Sequence, residues 1–287
     1  MGDIVSFRHS GDMGDLIASL AAVKAYCEAH KCKAKFIMDA SGGWMDKNVS
    51  AQAPNGLKFD LKAATFLEPL LKIQPYIAEV EIDTWGHETD ASTINLNGFR
   101  VLFCNPDAIR ATNQNLMELH QLLLNQPLGY SGPWIDLKGA PITTDLPNGV
   151  LMSRSTRYQQ AHIMWEAIIA NLNRKQVPYS FMGTDLEYDC FKDCFRQAHP
   201  TRLKVDNAVQ MALAISGAEE YICNGTLGYW IAVGIGHRCI VHEPGNCIPT
   251  TVFRERAGME LPNVTYIDGM RVINPKAKEV RDGAKND

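Results

Sequence analysis

A strand, a glycine-bearing polar loop, a helix and a second strand open this chain, and the same order begins again past its midpoint. That order restricts the fold to the parallel α/β class, because parallel neighbours need a crossover between them. Ile4-Val5-Ser6-Phe7 is a short β-rich run, followed by the loop Arg8-His9-Ser10-Gly11-Asp12-Met13-Gly14-Asp15. Leu16, Ile17, Leu20, Val23, Lys24, Tyr26 and Cys27 then recur at helical spacing up to about His30, and Ala34 to Met38 reads as the next strand. In the second half, Gly149 to Ser153 reads as a buried strand, Arg154 to Ala161 as a polar loop and Ile163 to Leu172 as a helix. Tyr179 to Met182 is then a strand ending at Gly183.

The remaining pattern fits two halves. Phe66 to Ile77 reads as a helix closed by Pro75, Ile77 to Ile82 and Val101 to Cys104 as strands, and Leu116 to Leu124 as an apolar helix. Later come a helix over Asn207 to Ser216, a strand over Glu220 to Cys223, and a loop from Asn224 to Gly228. A helix from Tyr229 to Gly234 and a strand from Arg238 to His242, stopped by Pro244-Gly245, complete the series. The stretch from Leu128 to Asn148 carries three glycines and four prolines counting Pro127, which marks the weakest organisation, so a domain boundary is expected near residue 145. The expected domains are 1–145 and 146–287. No fixed-period repeat is visible, which argues against a solenoid. The charged tail from Asn274 to Asp287 is expected to be loosely ordered.

At 287 residues, two domains are comfortable, and 46% hydrophobic residues supply their cores. A net charge of −4 argues against a protein that coats nucleic acid electrostatically. The start has no basic segment followed by a long apolar one, and no run approaches the ~18 apolar residues that span a bilayer. The eight cysteines, at 27, 32, 104, 190, 194, 223, 239 and 247, lack both the density of a disulfide framework and the paired spacing of a zinc site. Free thiols in a reducing cytoplasm, with no metal, are the expectation.

Three loops carry candidate chemistry, since ligands of open α/β sheets collect beyond the carboxyl ends of the strands. In the first loop, Asp12 and Asp15 stand beside Gly11 and Gly14, where the backbone can approach a ligand closely. Asp15 is either a helix cap or a catalytic carboxylate. His9 and Met13 complete this loop as candidate acceptor contacts. The loop lacks GxGxxG and a following GK[ST], so neither a dinucleotide fingerprint nor a Walker loop is present. The second loop offers Ser153, Arg154, Ser155, Thr156 and Arg157, whose hydroxyls and guanidiniums suit a diphosphate or form a solvated turn. In the third, Asn224, Gly225, Thr226, Leu227, Gly228 and Tyr229 turn from a strand into a helix, whose first amides form an anion site unless the turn is ordinary.

The stretch Ser10-Gly-Asp-Met-Gly-Asp-Leu-Ile-Ala-Ser-Leu20 resembles the opening of the ADP-heptose heptosyltransferases, glycosyltransferase family 9. The stretch from Asn207 to Thr226 resembles their second signature, and Trp165 and Phe181-Met-Gly183-Thr184 match two further landmarks. The likeness covers most of the second half and only the start of the first. It implies a GT-B fold of two Rossmann-like domains facing a central cleft, with an N-terminal acceptor domain and a C-terminal nucleotide-sugar domain. It also implies inverting transfer that requires no metal or other cofactor. Asp15 matches the family's proposed general base, Ser153 to Arg157 its diphosphate loop, and Gly183, Thr184 and Asn224 to Tyr229 its donor site. Asn224 stands where the family has Asp, Tyr229 where His often follows, and the usual Lys is replaced at best by Arg157.

The acceptor stays open between a bacterial surface glycan and a hydroxymethylated pyrimidine in phage-type DNA modification. For DNA, Arg8, His9, Trp44, Lys47, Trp85, Arg100 and Arg110 are candidate groove residues. A non-catalytic nucleotide-sugar-binding protein is the alternative supported by Asn224. An epimerase or hydrolase would need another acid–base group such as His162, His237 or Glu243. The expected partners are a nucleotide-sugar donor and an acceptor glycan or modified DNA.

Overall fold

The computed structural model describes residues 2–42, 59–87, 90–103, 114–129, 131–141, 149–155, 162–238, 240–243, 264–268 and 271–273. The chain divides into two compact units, residues 1–141 with 206–209 and residues 142–205 with 210–287. The boundary expected near residue 145 and the tail from Asn274 lie outside the described residues.

The first unit runs β1 (Ile4–His9), α1 (Met13–His30), β2 (Lys33–Asp39), α2 (Leu61–Lys72), β3 (Ile77–Asp83) and β4 (Ile94–Asn95). A 3-10 turn over Leu96–Gly98, α3 (Phe99–Phe103) and α4 (Leu116–Leu123) follow. The four strands form a parallel sheet in the order β3-β2-β1-β4. Helix α1 buries an unbroken run from Leu16 to Val23, with Phe7, Phe36 and Met38 of the sheet fully buried beside it. It ends where Lys31 turns left-handed at φ 53° and its amide returns to Cys27 and Glu28.

Three expectations need correction here. The run expected as a strand over Val101 to Cys104 is helical through Phe103, because Asn95 caps the preceding 3-10 turn and carries the chain straight into α3. A four-residue apolar run has no period that separates the two states; Cys104 itself lies outside the described residues. The helix expected over Phe66 to Ile77 begins at Leu61, where Asp60 accepts from the Ala63 amide at 2.8 Å, and ends at Lys72. Pro75 disfavours helical geometry at the residue before it, so the helix stops short of the proline and does not run on to Ile77. The glycine- and proline-rich stretch after Leu128 is also well anchored as far as it is described. Gln121 bonds both backbone groups of Gly129 at 2.9 Å, and Gln74 takes the Asp136 amide at 2.8 Å. Trp134 is buried, with its indole N–H on the Ile17 carbonyl at 3.1 Å.

After Gly149 come β5 (Val150–Ser153), α5 (His162–Lys175), β6 (Tyr179–Met182), α6 (Asp185–Cys194), β7 (Thr201–Leu203) and α7 (Ala208–Gly217). Then follow β8 (Glu220–Asn224), α8 (Leu227–Ile235), β9 (Ile240–Glu243), β10 (Val264–Asp268) and β11 (Arg271–Ile273). The sheet order is β11-β10-β9-β8-β5-β6-β7, parallel except for the β10–β11 pair. Counted from β5, its six parallel strands have the doubly-wound order 3-2-1-4-5-6, and the chain reverses direction across the sheet between β5 and β8. Trp165, Phe181, Phe191 and Phe195 fill the core on one side of this sheet. Strands β4, β7, β10 and β11 are too short or too weakly patterned to have been read from the sequence.

Candidate functional site

In the second unit, the switch point brings two of the expected loops together at the carboxyl ends of adjacent strands. Ser153 ends β5 in register with Cys223, so the residues that follow each strand lie side by side. Asn224 is fully buried and faces Ser155: its Oδ1 accepts the Ser155 amide at 3.0 Å and its Nδ2 donates to the Ser155 carbonyl at 3.2 Å. A carboxamide can do both, whereas a carboxylate can only accept. Asn224 therefore holds the β5 loop against the end of β8.

Beneath this junction, the Tyr221 hydroxyl makes a short hydrogen bond with Ser153 Oγ. Burial pushes the Tyr221 hydroxyl well above its ordinary pKa, so it stays protonated. The same oxygen explains Gly228, the second residue of α8: a Cβ there would lie 2.0 Å from it. Gly225 and Thr226 form the turn into α8, whose cap residue Thr226 makes no side-chain capping bond among the described residues. Leu227 begins the helix, and Tyr229, where the family often has His, is buried edge-on against Trp230.

The other expected donor residues are placed differently. Arg154 is buried, with its guanidinium 5.8 Å from the Trp165 ring centre and 5.3 Å from that of Phe195. Thr184 caps α6 in a reciprocal box: its hydroxyl accepts the Glu187 amide at 3.2 Å, and its own amide reaches Glu187 Oε2 at 2.8 Å. Gly183 leaves the space that Phe181 and Glu187 occupy. Thr156 and Arg157 lie outside the described residues.

In the first unit the reversal falls between β1 and β4, and the β1 loop lies there, with the Ser10 amide on Asn97 Oδ1 at 3.0 Å. The helix cap is Asp12, not Asp15, and the Asp12 side chain makes no capping bond. Met13 and Gly14 are the first two helical residues and Asp15 the third, a position where a carboxylate gains from the helix dipole. Arg100 Nη2 lies 3.7 Å from Asp15 Oδ2. Gly11 sits in the space between them: a Cβ there would be 2.4 Å from His9 Cε1, 3.0 Å from Arg100 Nη2 and 3.1 Å from Asp15 Oδ2.

His9 is fully buried and does not reach solvent as an acceptor contact would; its Nδ1 accepts the Gly11 amide at 2.8 Å. Its other nitrogen faces His120 Nε2 at 3.3 Å, and His120 Nδ1 meets the Leu116 carbonyl at 2.9 Å. His120, Tyr221 and Asn97 were not read from the sequence, because each acts across a sequence separation that no local motif spans.

Of the groove residues considered for DNA, Arg8 is committed elsewhere. Its guanidinium pairs with Asp39 and Asp83, each at 2.8 Å. Asp83 in turn takes the amides of Trp85, Gly86 and His87. Burial opposes the Asp83 charge, but the Trp85 amide and the Arg8 and His87 side chains outweigh it and hold the carboxyl down at about 2. Trp85 is 84% exposed, while Trp44, Lys47 and Arg110 lie outside the described residues.

His237, considered as an acid–base group, is buried with its ring on the Ala218 carbonyl at 3.1 Å. The side chains of His162 and Glu243 lie outside the described residues. Cys27, Cys32, Cys190, Cys194 and Cys223 are free, and burial, then Cys32, pushes the Cys27 thiol up to about 12. Among the described residues, no helix is long and apolar enough to cross a membrane.

No family model and no curated protein matches the sequence. Solved structures do. Escherichia coli heptosyltransferase WaaC, determined with ADP, matches at a TM-score of 0.60 and 13% identity, over 98% of this chain and 99% of that one. A family 9 glycosyl transferase from Veillonella parvula matches at 0.58 and 11% identity, over 99% and 89%. E. coli ADP-heptose lipopolysaccharide heptosyltransferase II matches at 0.56 and 9%, over 92% and 90%. At such identities the likeness is one of fold, and the chain has the fold of the heptosyltransferases and family 9 glycosyltransferases.

Proposed function

We propose that the chain is an inverting glycosyltransferase that moves a sugar from a nucleotide donor to an acceptor hydroxyl. The observation that carries this reading is the likeness of fold to WaaC along nearly the whole of both chains, since that structure holds ADP. The switch point of the second unit supports it: the β5 loop and the start of α8 meet where doubly-wound sheets bind nucleotides. In this reading the first amides of α8, at Leu227 and Gly228, face the donor diphosphate, where the helix dipole favours negative charge. Asn224 and Tyr221 hold that geometry from below.

Asp15 is the general base of the proposed reaction. The acceptor oxygen attacks the anomeric carbon, its proton passes to the Asp15 carboxylate, and the bond from that carbon to the diphosphate breaks. The nucleoside diphosphate leaves from the face opposite the attack, which inverts the centre. Donors in the protein meet the leaving charge, so transfer proceeds without a metal. The acceptor is a hydroxylated glycan in this reading. The commitment of Arg8 to Asp39 and Asp83 removes one of the cations a DNA groove would use.

The test is calorimetric titration with ADP, UDP, GDP and CMP and their sugars, in EDTA and then in magnesium. Binding of one nucleotide family in EDTA is expected, followed by transfer that Asp15→Asn abolishes. Failure of every nucleotide to bind overturns the reading; full transfer by Asp15→Asn overturns its assignment of the base.

A further inference from the structure

We propose that His9 and His120 act as one neutral imidazole pair that positions the Asp15 turn through the Gly11 amide, and that a single added proton releases the turn. The inference deepens the proposed function and rests on its reading of Asp15 as the base.

The hydrogen bonds allow one arrangement of protons. The Gly11 N–H donates to His9 Nδ1, so that nitrogen carries no proton and the ring's proton is on Nε2. That proton points at His120 Nε2, 3.3 Å away, which must therefore be the bare nitrogen of its ring. The His120 proton is then on Nδ1, where it donates to the Leu116 carbonyl. Every ring nitrogen is thereby used and both rings are neutral. A further proton on His9 Nδ1 would face the Gly11 N–H, and one on His120 Nε2 would face the His9 N–H. Neither position offers an acceptor.

The surroundings reinforce this. Both rings are fully buried, and Phe99 stacks on His9 at 5.8 Å and lies tilted against His120 at 4.2 Å between ring centres. Arg100 on α3 is the charged side chain whose field reaches both rings, Asp15 on α1 stands across Gly11 from His9, and Glu118 is on α4 with His120. Arg100 lies toward Asp15, and Glu118 is engaged in its capping box with Asn115. Burial, then the His120 and Arg100 charges, lower His9 well below the ordinary imidazole range. Burial and Arg100 outweigh the Leu116 carbonyl and hold His120 at about 4.

The link to the turn is short. The side chains of His9, Arg100 and Asp15 close around Gly11 so tightly that a Cβ there would meet all three, so a shift of its backbone disturbs the group around Asp15. His9 and His120 are thus positioning residues and touch no reacting atom.

The experiment is proton–nitrogen correlation spectroscopy of the imidazoles and the Gly11 amide in the whole chain, from about pH 8 to about pH 4. His9 is expected as the Nε2–H tautomer and His120 as the Nδ1–H tautomer. Uptake of the first proton by the pair should coincide with loss of the Gly11 amide's protection from exchange. A ring that titrates independently near the ordinary value of about 6.5, or a Gly11 amide still protected after protonation, overturns the proposal. His9→Asn keeps an acceptor for Gly11 but cannot titrate, and should carry that protection to lower pH. His9→Leu removes the acceptor and should lower kcat roughly tenfold or more with donor KM little changed. If His9→Leu does not fold, the spectra and His9→Asn decide. Spectra as expected, together with full transfer by Asp15→Asn, support the pair and overturn only the base assignment.

Discussion

Asn224 and Ser155 are bonded twice: the Asn224 side-chain amide accepts from the Ser155 N–H at 3.0 Å and donates to its C=O at 3.2 Å. This relationship explains why a carboxamide stands where the resembling family has a carboxylate. Asn224→Asp keeps the acceptor but sets an oxygen against the Ser155 carbonyl and buries a charge. The expected effect is a loss of about 1–3 kcal/mol of stability, with weaker nucleotide binding, both partly recovered as acid protonates the new group. Denaturant unfolding at two pH values and nucleotide titration check this; a variant as stable as the parent would refute the clamp.

Gly228 and Tyr221 compete for one space. Gly228→Ala places a methyl 2.0 Å from the tyrosine oxygen but 3.1 Å from the ring carbon that bears it. The single variant should lose ~1–3 kcal/mol through overpacking. Tyr221→Phe alone removes the bond to Ser153 and should cost about 1 kcal/mol. The double variant should be more stable than Gly228→Ala alone, which a double-mutant cycle measures. Simple additivity of the two losses would show that the close approach is relieved elsewhere.

What was legible in the sequence follows from how local each signal is. The β1 loop and α1 announce themselves through Gly11, Gly14 and the apolar run that follows, and the β5 and β8 loops through sharp changes from apolar to polar residues. The strand order was not legible, because Ser153 and Cys223 are brought into register by pairing across seventy residues. For the same reason Tyr221 read as an ordinary strand residue and His120 as part of an apolar helix. Arg8 and Thr184 show the opposite limit. Their chemistry suits a ligand, but Asp39 and Asp83 occupy the one and Glu187 the other. Composition cannot tell a polar group that awaits a ligand from one already satisfied inside the fold.

Arg8 ties β1 to the ends of β2 and β3 through two buried carboxylates. Arg8→Gln leaves Asp39 and Asp83 facing each other without the cation, which should destabilise the first unit by about 3–5 kcal/mol. Asp83→Asn keeps an oxygen for the amides of Trp85 and Gly86 and should do less harm. The ranking is read from midpoints of urea unfolding. Equal losses in the two variants would mean that the loop amides, rather than the ion pairs, dominate at Asp83.

Acid should unfold the chain in two separable windows, and the signs follow from the direction of each shift. His120 has an ordinary value of 6.5 and is lowered to about 4 in the fold. The unfolded chain therefore binds the extra proton first, so the stability this group contributes is complete above 6.5 and is lost as pH falls towards 4. That loss amounts to about 3 kcal/mol. Asp83 is lowered from 3.8 to about 2, so its contribution is complete above 3.8 and is lost only as pH falls through 2. His120→Gln removes one titrating ring while leaving an acceptor for His9, and should shrink the upper window, where His9 still titrates, without touching the lower. Asp83→Asn should do the reverse. Unfolding free energies measured across the acid range in the parent and both variants separate the two groups. A parent whose stability is level between neutral pH and 4 would mean that the buried histidines are not held neutral by the fold.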